Sequence, residues 1–210
     1  MSTLGESTNA YYRFHSRIYD LTRWSFLYGR QALVREVVAR RPRRVLEVGC
    51  GTGRILIAVK RALPDAACLG VDASGDMLRM ARRKSAATDI RWLQGSYPSA
   101  EVDAAIAESG PPDAIVFSYA LSMFNPGYER CLEAAHRAVA PQGVVCVLDF
   151  HHSPFAGFRR WMAMNHVRME GQLLAAVAQS GELALHRERA GLLGLWRYSL
   201  LVSRPRASLS

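Results

Sequence analysis

The sequence predicts an α/β fold, a mostly parallel sheet with helices on both faces, and three observations carry that prediction. An apolar run, Arg44-Val45-Leu46-Glu47-Val48, ends in the glycine-rich turn Gly49-Cys50-Gly51-Thr52-Gly53 and passes straight into helix-forming sequence from Arg54 to Leu63. Further apolar runs without polar alternation then recur, separated by stretches of helical spacing, as parallel strands buried on both faces require. Two runs near the end, Leu183 to Arg189 and Leu192 to Ser203, read instead as an antiparallel pair, with Trp196 and Tyr198 on alternating positions.

In chain order, Thr8 to Ala39 reads as two helices whose aromatic residues, among them Tyr11, Tyr12, Phe14, Tyr19, Trp24, Phe26 and Tyr28, exceed what a packing helix needs. Such a segment suits a lid over a ligand or an element lying at a membrane interface. The strand at Arg44 follows, then the glycine turn and its helix. The next strand, Ala67 to Asp72, ends in a carboxylate, and Ser74 or Asp76 is placed to cap a helix running to about Ala87. Ile90 to Gln94 is a short strand with the exit loop Gly95-Ser96-Tyr97, and Ala114 to Phe124 is a buried strand after Pro111-Pro112. Tyr128 to Ala140 is helical, and Pro141-Gln142-Gly143 turns the chain into a fifth strand, Val144 to Phe150. Beyond it lies a polar and aromatic stretch containing His151, His152, Phe155, Phe158, Trp161 and His166. The boundaries that follow are a helical lid over residues 1–40, a catalytic domain over 41–204 and a tail over 205–210.

The glycine turn limits the chemistry. Its residues permit backbone angles that a Cβ forbids and let a ligand lie against bare main chain at a helix N-terminus. No lysine follows the glycines, so a phosphate-gripping P-loop is excluded. Glu47 stands where a dinucleotide-binding strand would continue apolar, and Asp72 stands where a ribose diol would be gripped. At these residues the chain resembles the class I S-adenosylmethionine-dependent methyltransferases. The resemblance implies a Rossmann-like, seven-stranded sheet, S-adenosylmethionine as cofactor and S-adenosylhomocysteine as product. It places Glu47, Gly49, Cys50, Gly51 and Gly53 at the amino-acid end of the cofactor, and Asp72 with Ala73 at the ribose. Met77 would pack on the adenine, and Gly95, Ser96 and Tyr97 would meet its edge, where the commoner pattern is Gly-Asp.

Two further runs, Tyr12 to Arg30 and Ser118-Tyr119-Ala120-Leu121-Ser122-Met123, resemble the methyltransferases that trimethylate the homoserine headgroup of betaine lipids. That likeness implies that the Tyr19 region covers the cofactor, and Arg30 is one position where a cation meets the cofactor carboxylate or an anionic headgroup; Ser118, Tyr119, Ser122 and Met123, at the carboxyl end of a central strand, should face the methyl group and its acceptor. It departs after Phe150, where His151-His152-Ser153 stands in place of an expected glycine. An amine acceptor needs a neutral lone pair and a group to take or orient its proton, for which Tyr19, Tyr119, Asp149, His151 and His166 are the candidates. The acceptor is therefore expected to be a lipid-headgroup amine, with a soluble amino-acid-like or secondary metabolite accepting on nitrogen, sulfur or oxygen as the alternative. A cofactor-binding subunit without catalysis is the alternative class.

The 210 residues, half of them apolar, suffice for one domain with a full core. Cys50, Cys68, Cys131 and Cys146 lack metal-ligand spacing and read as reduced, buried thiols of a cytoplasmic protein, and no metal site is expected. The net charge of +9, densest at Arg40-Arg41-Pro42-Arg43-Arg44, has two accounts, a solvated arginine-rich surface or peripheral contact with anionic lipid. Nucleic acid is not an expected partner, because no recognition motif accompanies the arginines.

Overall fold

The structure is a computed structural model that describes residues 27–124 and 126–206. Tyr19 and most of the expected lid lie outside the described residues. The second expected helix is seen as α1, Arg30–Val38, which buries Leu33 and Val37.

Strand β1, Arg44–Val48, is buried along almost its whole length because both faces of the sheet are covered. It is followed by α2 (Arg54–Ala62), β2 (Ala67–Asp72), α3 (Gly75–Lys84), β3 (Ile90–Gln94), α4 (Ala100–Ser109), β4 (Ala114–Ser118), α5 (Tyr128–Ala138) and β5 (Val144–His152). Helices α6 (Ala156–Met164) and α7 (Gln172–Ser180) precede β6 (Glu182–Gly191) and β7 (Trp196–Arg204). The seven strands lie in the order β3-β2-β1-β4-β5-β7-β6. Strands β1 to β5 pair in parallel, whereas β7 pairs antiparallel with both β5 and β6.

Two apolar clusters flank the sheet. One holds side chains of α1 and α2 with Met162 and Trp196, and the other holds those of α4, α5 and α7. Strand order reverses at β1, since the chain builds outward to β3 and then returns to add β4 on the other side. Such a switch point opens a crevice at the carboxyl ends of the strands.

Among the boundaries that differ from the sequence reading, two change an element's character. The fourth strand stops at Ser118, and Leu121–Met123 is a short 3-10 turn, because Tyr119 takes a left-handed backbone (φ 55°) that ends the extended run. The last strand begins at Trp196, since Leu192–Gly194 forms a 3-10 turn after β6.

Candidate functional site

At the switch point the chain leaves β1 through three glycines with positive φ, Gly49 (66°), Gly51 (53°) and Gly53 (74°). Their surroundings differ. A Cβ on Gly49 would lie 2.7 Å from the Cβ of Ala120, and one on Gly53 would lie 2.4 Å from Cη2 of Trp92. A Cβ on Gly51 would meet nothing within 4 Å, so its main chain is the bare surface of the turn. The Trp92 ring also lies where a Cβ of Gly70 would fall, and its Nε1 donates to Ser85 Oγ at 3.0 Å. Gly53 and Gly70 are thus spaces for one indole, which supports the turn from below.

Two carboxylates hold this turn. Asp72, at the end of β2, accepts the Gly51 N–H through Oδ2 (2.7 Å) and the Ser74 N–H through Oδ1 (2.9 Å). Because a carboxylate offers about four acceptor positions, each oxygen keeps capacity for a ligand hydroxyl. Glu47 is 2 % exposed and accepts the Leu56 N–H through Oε2 at 3.1 Å. Burial pushes its carboxyl up to about 8, against the opposing charge of Arg30, and Asp72 adds to the rise. The loop after β3 closes against the same place, with the Gly95 N–H donating to the Asp72 carbonyl at 3.1 Å. A Cβ on Gly95, like one on Gly51, would meet nothing within 4 Å.

These elements enclose a cavity of about 950 Å3. The expected residues Arg30, Glu47, Gly49, Cys50, Gly51, Asp72, Ala73, Met77, Gly95, Ser96, Tyr97, Ser118, Tyr119 and Met123 all line it. Gly53 does not, as it faces Trp92. Ser118 contributes a buried Oγ without a hydrogen-bond partner among the described residues. Tyr119, 1 % exposed, donates its hydroxyl to the Tyr28 carbonyl at 2.7 Å, and burial raises its phenol well above the ordinary range, so it holds its proton at neutral pH.

The remaining candidates for proton handling lie elsewhere. Asp149 is buried and accepts the Ser122 N–H (3.0 Å) and the Phe150 N–H (2.8 Å), so it fixes the turn that carries Met123. His151 sits 3.8 Å from Glu188 of β6, and His166 is an exposed residue just past α6; neither lines the cavity. Sequence reasoning passed over Met80, Lys84, Phe124 and Arg130, which line the cavity from α3, the 3-10 turn and α5. The helical pattern of α3 and α5 was visible, but which of their turns reach the crevice depends on how they pack.

Residues 45–143 match the family described as a methyltransferase domain. A demethylmenaquinone methyltransferase of Thermus thermophilus is 30% identical over 129 residues, 61% of this chain and 57% of that protein. A trans-aconitate 2-methyltransferase of Rhodopseudomonas palustris is 32% identical over 108 residues, 50% of this chain and 38% of that protein. The chain thus spans between 38% and 57% of the length of these two relatives. Among solved structures, the N-methyltransferase NodS of Bradyrhizobium japonicum, in complex with S-adenosyl-L-homocysteine, superposes with a TM-score of 0.67 at 15% identity. That alignment covers 85% of this chain and 86% of NodS, and it speaks for a shared fold.

Proposed function

We propose, on the premise that residues 45–143 are an S-adenosylmethionine-dependent methyltransferase domain, that this chain is an enzyme transferring a methyl group from that cofactor to a small acceptor. The observation that carries the reading is the meeting of Asp72, the bare main chain of Gly51 and buried Glu47 at one wall of a single cavity. The residues present fit the cofactor. Gly51 and Gly95 leave room that a side chain would fill, Ser118 offers a buried hydroxyl unpartnered among the described residues, and Asp72 has acceptor capacity for a ribose. When bound, the cofactor supplies an electrophilic sulfonium methyl. The chain's own part is to align and to exclude water: Met77 and Met123 give the cavity apolar, adaptable walls, and Tyr119 is held in place by Tyr28.

The finer reading is N-methylation of an amine on a homoserine-like headgroup, lipid-borne or free as an amino-acid-like metabolite. The runs Tyr12 to Arg30 and Ser118 to Met123 support it, and the second of these contributes Ser118, Tyr119, Ala120 and Met123 to the cavity lining.

Calorimetric titration with S-adenosylhomocysteine tests the cofactor site. Asp72→Ala and the milder Asp72→Asn should each weaken binding by about tenfold or more, equivalent to one lost charge-assisted hydrogen bond. Circular dichroism should show the Asn variant folded. Unchanged affinity in a folded Asn variant and in the Ala variant overturns the assignment. Product detection with homoserine and with a homoserine lipid then reads the acceptor.

A further inference from the structure

A second cavity of about 700 Å3 adjoins the first and shares Leu27, Arg30 and Arg54 with it. Among the described residues, Arg30, Arg35, Arg54, Arg187 and Arg189 all line it, and no carboxylate does. Its apolar floor is Leu148 and Leu200, and Tyr28 and Tyr198, stacked at 6.5 Å between ring centroids, form a wall. Arg187 is 3.5 Å from Glu36, which also pairs with Arg40. Among the described residues, Arg35, Arg54 and Arg189 have no acidic partner.

Two details make this more than a charged surface. Arg30 and Arg54 are the first residues of α1 and α2, and neither helix has an acid in its first turn. Cations at helix N-termini oppose the helix dipole, so stability alone does not account for them. The arginines also come from three separate elements, α1, α2 and β6, and surround a concavity of small-molecule size rather than a stripe. Apolar walls concentrate their field in that space.

We infer that this cavity is an oxyanion subsite that holds the carboxylate or phosphate end of the methyl acceptor. The guanidinium fork matches both groups with paired hydrogen bonds. The wall shared through Arg30 and Arg54 sets the anion beside the cofactor cavity, so the anion is the handle by which the acceptor is oriented. The inference rests on the methyl-transfer reading for the role of the site, though not for the binding of an anion.

The test uses the full chain saturated with S-adenosylhomocysteine, titrated with citrate and with pyrophosphate at low salt and near physiological salt. Citrate, pyrophosphate or both should saturate, and the tighter one names the preferred oxyanion. Arg35→Gln and Arg189→Gln should each weaken that binding, and together by about tenfold or more, with affinity for S-adenosylhomocysteine unchanged. Retention of most of the binding near physiological salt separates a converging site from diffuse surface attraction. Phosphatidylglycerol vesicles added as competitor distinguish the sources: displacement of the probe assigns a lipid-borne anion, and its retention a free one. Absence of saturable binding by either probe, or equal affinity in the double variant, overturns the subsite. Anion binding without binding of S-adenosylhomocysteine overturns its role in methyl transfer and the function proposed above, while leaving the anion site itself in place.

Discussion

Tyr119 adopts a left-handed backbone at the carboxyl end of β4, a conformation that costs a non-glycine residue on the order of 1–3 kcal/mol and is kept where surrounding bonds enforce it. Here its N–H donates to the Leu148 carbonyl (2.7 Å) and its hydroxyl to the Tyr28 carbonyl (2.7 Å), while its ring meets Phe150 edge-on. The second bond ties the segment before α1, which brings Leu27 and Arg30 to the cavity, to the centre of the sheet. Tyr119→Phe keeps the ring and removes the tie. It should cost about 1 kcal/mol, seen as a Tm lower by roughly 2–4 °C for a chain of this size, and should weaken S-adenosylhomocysteine binding a few-fold. A variant with wild-type Tm and affinity would show that the bond to Tyr28 holds nothing in place.

At the scale of elements, the turn between β1 and α2 divides its glycines between cavity and scaffold. Gly53→Ala adds a methyl group 2.4 Å from the Trp92 ring at a position with φ 74°, so it should destabilise the chain by roughly 2–4 kcal/mol, read by denaturant unfolding. Gly51→Ala pays only the backbone strain, about 1 kcal/mol, because nothing lies within 4 Å, yet it should lower cofactor affinity far more than Gly53→Ala lowers it per unit of stability lost. Similar stability losses in the two variants contradict this division. The turn itself was legible in the sequence, since three alternating glycines after an apolar run have few other uses, and so was Asp72 at the end of β2. What was not legible is which glycine faces the ligand, because that depends on Trp92, a strand residue some forty positions away whose ring fills the space beneath Gly53 and Gly70. The arginines of the second cavity were hidden for the same reason. Arg187 and Arg189 sit on the edge strand β6 and line one cavity with Arg35 and Arg54, a meeting set by the packing of α1 and α2 on the sheet and not by sequence spacing. Asp149 shows the converse: a carboxylate at the end of a central strand reads as chemical, and its two oxygens serve main-chain N–H groups instead.

Two buried titratable groups of opposite kind, Glu47 under the cavity and His136 on the far face, contribute opposing terms to the pH dependence of stability. Glu47 titrates near 4.5 in the unfolded chain and at about 8 in the folded one, because burial disfavours its charge. The folded state therefore binds the extra proton, and this contribution is full below 4.5 and declines as pH rises to about 8. His136 bridges the Leu132 carbonyl (2.9 Å) and Ser203 Oγ (2.8 Å), tying α5 to the end of β7, and burial lowers its pKa from 6.5. Its contribution has the opposite sign, present above 6.5 and lost as pH falls through the depressed folded value. Between 4.5 and 6.5 the two slopes oppose each other; from 6.5 to about 8 only that of Glu47 remains of this pair. Thermal unfolding should thus show Tm falling between pH 6.5 and about 8, by an amount corresponding to at most about 2 kcal/mol. Glu47→Gln keeps an acceptor for the Leu56 N–H and cannot ionise, so it should flatten that alkaline limb and leave the His136 slope below pH 6.5 unopposed. His136→Asn should do the reverse. A Glu47→Gln profile that still falls through the same window would mean that the buried carboxyl is already ionised at neutral pH, with Arg30 outweighing its burial.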